Sequence, residues 1–255
     1  MSPAAYRWLR RDPVMAALIA AAGRYHPEPM ADWSPFEALA SAIAHQQLHS
    51  AAAKSILARF NAACGNGQCP TPEQVLAADT AVLRATGFSF AKIAALQDLA
   101  AKTLTGVVPQ RVALDTLSDE DIIERLTEVR GIGRWTVEMM LIFQLSRPDV
   151  LPVDDFGVRN GFRLAYRLRG MPTARALAQF GERWKPYRSL AAWYLWRAND
   201  LAKRKLITRV ARPPRIALQP PPKRATKPKR AVKKPLRSRA RRSVSTASGS
   251  RRARK

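Results

Sequence analysis

The sequence predicts an all-α body followed by a disordered basic arm, on three observations. Apolar residues recur at three- and four-residue spacing along most of residues 10–205. Several of these runs open on helix start signals. Strand-like alternation over more than a few residues is absent, which leaves Val108–Leu114 as the sole extended candidate.

Taken in order, the first helix opens at Asp12-Pro13 and buries Met15, Leu18 and Ile19 at helical spacing. The apolar stretch Val14–Ala22, preceded by Arg7, Arg10 and Arg11, superficially resembles a secretory leader. The Asp-Pro start and the continuation into Tyr25 favour a helix of the body. Helices follow at Pro35–Gln47, Ser50–Ala63, Pro72–Ala78, Phe90–Leu104, Ser118–Val129, Gly133–Leu145, Asp155–Leu168 and Thr173–Lys205, the last broken near Pro186. Ser118 followed by Asp119, Glu120 and Asp121 combines a capping hydroxyl with a first turn that suits the helix dipole. After about residue 209 the periodicity stops. Prolines there alternate with Lys/Arg clusters, and too few apolar residues remain to offset the ordering entropy. The expected organisation is a body at 1–208 and a disordered Lys/Arg/Pro-rich tail at 209–255.

The chain carries 44 Lys+Arg against 19 Asp+Glu, a formal net charge of +25. Residues 211–255 hold 17 basic residues and no acidic one, which leaves 27 − 19 = +8 for the remainder. Both parts call for a polyanion, and nucleic acid fits better than a merely solubilising tail. No apolar run approaches the roughly 18 residues of a spanning helix, so no membrane is expected. Cys64 and Cys69 are too few for a disulfide framework or a four-cysteine metal site, which fits a reducing cytoplasm.

Two segments carry chemistry. The first, Leu126–Val137, joins two helices through Gly131-Ile132-Gly133, a tight turn whose amides are free to face an anion at a helix start. Arg134 and the Thr136 hydroxyl lie in that first turn. Alone, a Gly-x-Gly between helices is as readily a plain structural turn. The second is Val150-Leu-Pro-Val-Asp-Asp-Phe-Gly-Val-Arg159, where both Asp154 and Asp155 are potential helix caps.

Hairpin, helix, proline-containing loop and aspartate, in that order, resemble the helix-hairpin-helix DNA glycosylase superfamily. Arg183-Trp-Lys-Pro-Tyr-Arg-Ser189, Ala44-His-Gln-Gln-Leu-His49 and Leu83–Lys92 extend the resemblance to its DNA-3-methyladenine glycosylase II branch, over about residues 10–205. The resemblance implies two helical subdomains with a DNA-facing cleft between them. It implies that Asp155 is the catalytic carboxylate, with Asp154 left to cap the next helix. It lines the base pocket with Trp135, Met139, Phe156 and Trp196. DNA contacts fall to Gln47, Leu48, Gly131, Gly133, Arg134 and Thr136, with Gln47 ahead of Leu48 as the wedge that fills the vacated stack. The main-chain carbonyls of Thr127, Val129 and Ile132 are expected to hold a structural Na+ or K+, and no cofactor is required for the reaction. His45 and His49 flank the wedge and are expected to meet phosphate or solvent rather than a metal.

Glycosylases that also cut the backbone place a lysine where this chain has Trp135, so the resemblance implies the monofunctional, hydrolytic route. Met139 departs from the tyrosine that some members carry one turn after that position. The expectation is a monomer that excises alkylated purines such as 3-methyladenine from double-stranded DNA, in the cytoplasm or nucleoid. Two rival readings are a non-enzymatic architectural DNA binder and a bifunctional glycosylase/lyase.

Overall fold

The computed structural model describes residues 2–26 and 33–206. The chain divides into two units, Met1–Gln219 and Pro220–Lys255, and every described residue belongs to the first. The expected basic arm and its boundary at residue 209 therefore lie outside the described residues. Among the described residues there are thirteen α-helices, one 3-10 turn and no strand, as the periodicity predicts. None of these helices is long and apolar enough to cross a membrane.

Two apolar cores organise the first unit. One is built from α3 (Pro35–His45), α4 (Ser50–Cys64), α5 (Pro72–Ala77), α6 (Thr80–Ala85), α7 (Phe90–Leu104), α8 (Arg111–Thr116), α9 (Asp119–Thr127) and α10 (Arg134–Phe143), which bury Phe60, Phe88, Leu96, Leu126 and Val137 among others. The other joins the chain's beginning to the end of the described body. It consists of α1 (Pro3–Leu9) and α2 (Pro13–Ala22) together with α11 (Phe156–Ala165), α12 (Ala174–Gly181), the 3-10 turn Glu182–Trp184 and α13 (Arg188–Lys203). Phe162, Tyr166, Phe180 and Trp184 form an aromatic cluster in this second core, with ring centroids 4.7–6.3 Å apart. These are the two helical subdomains that the resemblance implied. Val150 belongs to one core and Leu151 to the other, so the Asp154-Asp155 loop runs along their seam.

Local chemistry explains the helix starts. Ser34 and Glu37 form a capping box ahead of α3, with Pro35 in its first turn. Asp12 caps α2 and Ser118 caps α9. The predicted long C-terminal helix breaks at the 3-10 turn before Pro186. The extended reading of Val108–Leu114 is corrected: Arg111–Thr116 is helical. Only Leu114 is buried along those six residues, too short a run for a helical period to show. Pro3–Leu9 and Thr80–Ala85 are likewise too short to display a period.

The packing of α11 on α13 brings the two elements nearest the seam into close register. Gly161 has no room for a side chain, since a Cβ there would fall 1.8 Å from the Leu195 carbonyl oxygen. The helices therefore meet backbone to backbone, which seats Trp196 of α13 directly behind the start of α11.

Candidate active site

The last turn of α9, the loop Glu128–Gly133 and the first turn of α10 form the predicted hairpin. Gly131 turns it with φ +79°, a left-handed conformation that costs glycine little. Ala95 of α7 backs the turn, 3.5 Å from where a Gly131 Cβ would sit. Gly133 is the extended N-cap of α10, and no side chain caps the first amides of that helix. No main-chain N–H of the hairpin bonds the carbonyl of Thr127 or Ile132, while that of Val129 accepts one from Ile132 at 3.0 Å. This all-oxygen donor set has the chemistry of a hard monovalent cation's ligands.

Arg134 does not extend freely from the hairpin. Its guanidinium donates to both carboxylate oxygens of Glu120 at 2.7 and 2.9 Å, and its Nε donates to Glu138 at 3.1 Å. Glu138 is buried, and burial pushes its carboxyl up to about 7 despite the Arg134 partner. Sequence reasoning passed over Glu138. The available signal was its i,i+4 relation to Arg134 and its place inside the apolar run Val137–Phe143.

Asp155 is the N-cap of α11, with φ −65° and ψ 123°, and its Oδ1 accepts from Val158 N at 2.7 Å. The expectation that Asp154 caps this helix is thereby corrected: the helix begins at Phe156, one residue later than Asp154 would require. The same carboxylate accepts the Trp196 indole N–H on Oδ1 at 2.8 Å and the Trp135 indole N–H on Oδ2 at 2.8 Å. Three N–H donors therefore fix this carboxylate in place.

The loop carrying it is anchored from behind. Arg188 makes a two-pronged pair with Asp149, at 2.8 and 3.0 Å. Ser189 Oγ donates to the Arg147 carbonyl at 2.6 Å and accepts from Val150 N at 2.9 Å. The stretch Arg183–Ser189 entered the sequence reading only through resemblance, and the structure supplies its physical function.

A cavity of about 530 Å³ opens between α3 and α10, beside this carboxylate. Trp135, half exposed, lines it while donating to Asp155, and Met139 lies deeper in the same wall. Phe143, Gln144, His45, Gln46 and Gln47 are among the lining residues that the sequence did not assign to a pocket. Two expected pocket residues stand apart from the lining of this cavity, as Asp155 itself does. Trp196 is not part of the lining; it packs against both cores, stacks on Phe143 at 5.6 Å and orients Asp155. Phe156 is also outside the lining and is 71% exposed at the first residue of α11, facing away from either core.

Gln47 is the apex of the α3–α4 turn, with φ +57°. Leu48 beside it is an exposed large apolar residue, 40% accessible. His45 lines the cavity, with its Nδ1 2.9 Å from the Ser41 carbonyl oxygen. His49 is exposed at the start of α4, and no cluster of potential metal ligands occurs among the described residues. Thr136 lines the cavity from the first turn of α10.

The frame is all-α, a glycine hairpin opens α10, and a carboxylate bonded to the cavity-lining Trp135 caps α11, the arrangement of a helix-hairpin-helix protein. Residues 40–186 match the model of the HhH-GPD superfamily base excision DNA repair protein, and the chain belongs to that family. It is 46% identical over 186 residues to DNA-3-methyladenine glycosylase 1 of Schizosaccharomyces pombe, covering 72% of this chain and 82% of that protein. It is 33% identical over 127 residues to DNA-3-methyladenine glycosylase 2 of Escherichia coli, covering 50% and 42% respectively. Among solved structures, the 3-methyladenine DNA glycosylase of S. pombe in complex with abasic DNA superposes with a TM-score of 0.70 at 44% identity. That match covers 78% of this chain and 97% of the other.

Proposed function

We propose that this DNA glycosylase hydrolyses the N-glycosidic bond of alkylated purines such as 3-methyladenine in duplex DNA, without a strand-cutting step. The observation that carries the reading is Asp155, held by two indole N–H groups beside the cavity that Trp135 and Met139 line. Cleaving that bond leaves positive charge on the deoxyribose, and a fixed carboxylate beside the sugar stabilises it. The same carboxylate orients the attacking water. A base already cationic through alkylation leaves neutral, so no strong general acid is needed. The electron-rich Trp135 face and the polarisable Met139 suit a flat cation, a contact of about 0.5–2 kcal/mol.

The base reaches the cavity only outside the duplex. Leu48, apolar and exposed, suits the vacated stack, and Gln47 beside it at the apex of the turn is the alternative wedge. Gly131, Gly133 and Thr136 grip the backbone phosphate, and the Thr127, Val129 and Ile132 carbonyls hold Na+ or K+ alongside. Arg134 uses three of its five N–H groups on Glu120 and Glu138, which leaves two to meet a phosphate. At position 135 the chain offers an indole, not an amine, which supports hydrolysis over Schiff-base chemistry. The motif resemblance supports glycosylase II chemistry in particular. Free Cys64 and Cys69 and the basic charge accord with a monomer acting on DNA in the cytoplasm.

The test is release of free base from alkylated duplex DNA by the wild type and by Asp155→Asn. The asparagine amide would face N–H donors that the carboxylate now satisfies. Release of 3-methyladenine is expected to fall by more than about 100-fold with DNA binding kept within a few-fold. Equal release by the two proteins would refute the assignment.

A further inference from the structure

Helix α7 touches both DNA-facing loops with charged side chains. At its beginning, Lys92 Nζ donates to the carbonyls of Ala44 and Gln46, both at 2.8 Å. These are terminal carbonyls of α3, which the helix itself cannot satisfy. The ammonium is partly buried, and burial pulls its pKa below the usual lysine value. Its bonds at this site go to main-chain oxygens, so it fixes the backbone that leads into Gln47 and Leu48.

Further along α7, Asp98 Oδ2 accepts from Arg130 N at 2.7 Å and from Lys102 Nζ at 3.0 Å. Lys102 also donates to the Glu128 carbonyl. These contacts fix the hairpin just before Gly131. The two loops are tied directly as well, through Gln46 Nε2 donating to the Gly131 carbonyl at 2.8 Å. A continuous polar path therefore runs from Lys92 through Gln46 and the Gly131–Arg130 backbone to Asp98.

We propose that Lys92 and Asp98 are positioning residues for base extrusion, with α7 as a rigid splint that sets the spacing between wedge loop and phosphate-gripping hairpin. A wedge can hold a gap in the stack only if the phosphate grip cannot retreat with it. A left-handed Gln47 followed by an exposed Leu48 has little packing of its own, so the two Lys92 bonds supply the resistance. Neither residue touches the base or sugar; both act through the loops they hold. The proposal rests on the glycosylase reading above.

The experiment compares Lys92→Met and Lys92→Arg with the wild type on two duplexes, one with the alkylated base paired and one with it opposite an abasic site. A base without a partner needs little help to leave the stack, so the splint matters only for the first. Lys92→Met is expected to lose about 10-fold or more in excision from the paired duplex and under about 2-fold from the unpaired one. Lys92→Arg, which can still donate to both carbonyls, should recover part of the loss. A general folding defect would instead lower both substrates equally and would overturn the proposal. A second readout does not depend on catalysis: fluorescence of 2-aminopurine flanking a hydrolysis-resistant lesion analogue. The wild type should raise it on binding, and Lys92→Met should raise it less than half as much at saturating protein. Equal rises would overturn the splint even if base release failed to appear. Base release by the wild type with no difference between substrates in the variant would overturn the splint and leave the glycosylase reading standing.

Discussion

Replacing Gly157 with alanine separates what holds this protein together from what positions its carboxylate. Gly157 is the second residue of α11, and alanine is favoured over glycine there by up to about 1 kcal/mol of helix propensity. The added Cβ would fall 2.8 Å from Trp196 Cδ1, 3.1 Å from Trp196 Nε1 and 3.1 Å from Asp155 Oδ1. Ordinary carbon contacts begin near 3.4 Å, so the indole must retreat by 3.4 − 2.8 = 0.6 Å. Phe143 stacks on Trp196, and both cores pack against it, so the ring has little space to yield. The Nε1–Oδ1 bond, 2.8 Å in the native chain, is driven towards the limit of useful hydrogen bonding. Overpacking costs about 1–3 kcal/mol, partly offset by the propensity gain, so the melting temperature should drop by only a few degrees. Misplacing the carboxylate by even part of an ångström should lower single-turnover base release about 10–100-fold. Gly170→Ala is the control, since nothing lies within 4 Å of its added Cβ. Unchanged release by Gly157→Ala, with a melt within a few degrees of wild type, would refute the argument that Trp196 sets Asp155.

Trp196→Phe keeps a ring beside Phe143 but removes the N–H that bonds Asp155. A hydrogen bond to a charged group contributes about 1.5–3 kcal/mol, so single-turnover release should fall about 10–100-fold with duplex affinity unchanged. A selective loss of affinity would instead make Trp196 a DNA contact. Glu138 predicts a pH dependence of stability. Its folded pKa of about 7 lies above its ordinary value of 4.5, so the folded state binds the proton more tightly. That contribution is full below pH 4.5 and declines as pH rises to 7, by at most about 3 kcal/mol. Thermal melts from pH 4.5 to 8 should show the wild type losing stability relative to Glu138→Gln, and parallel curves would contradict it. Truncation after residue 210 removes the 17 basic residues of 211–255, so the dependence of duplex affinity on salt should flatten. Each phosphate that the arm neutralises accounts for about 0.9 of the slope, and an unaltered slope would mean the arm does not lie on DNA.

The amino-acid sequence by itself determined the all-α body, the Asp12 and Ser118 caps, the Gly131-Ile132-Gly133 turn and the aspartate that follows. These are local matters: hydrophobic period, a capping hydroxyl and a glycine where φ turns positive are all written within a few residues. Trp135, Met139 and Asp155 were singled out through the resemblance of the hairpin, helix and aspartate loop to a known family. Only the tertiary structure decided how the carboxylate is held. Trp196 is 41 residues from Asp155, and its indole reads from sequence as pocket lining as easily as a hydrogen-bond donor. Arg134's diversion to Glu120, the burial of Glu138 and the reach of Lys92 to the end of α3 likewise depend on which helices meet. Directional bonds between distant segments require two backbones to be placed within about an ångström, and the chain's composition and period set only which faces are buried. The close crossing of α11 and α13 at Gly161 provides that placement at the seam between the two cores.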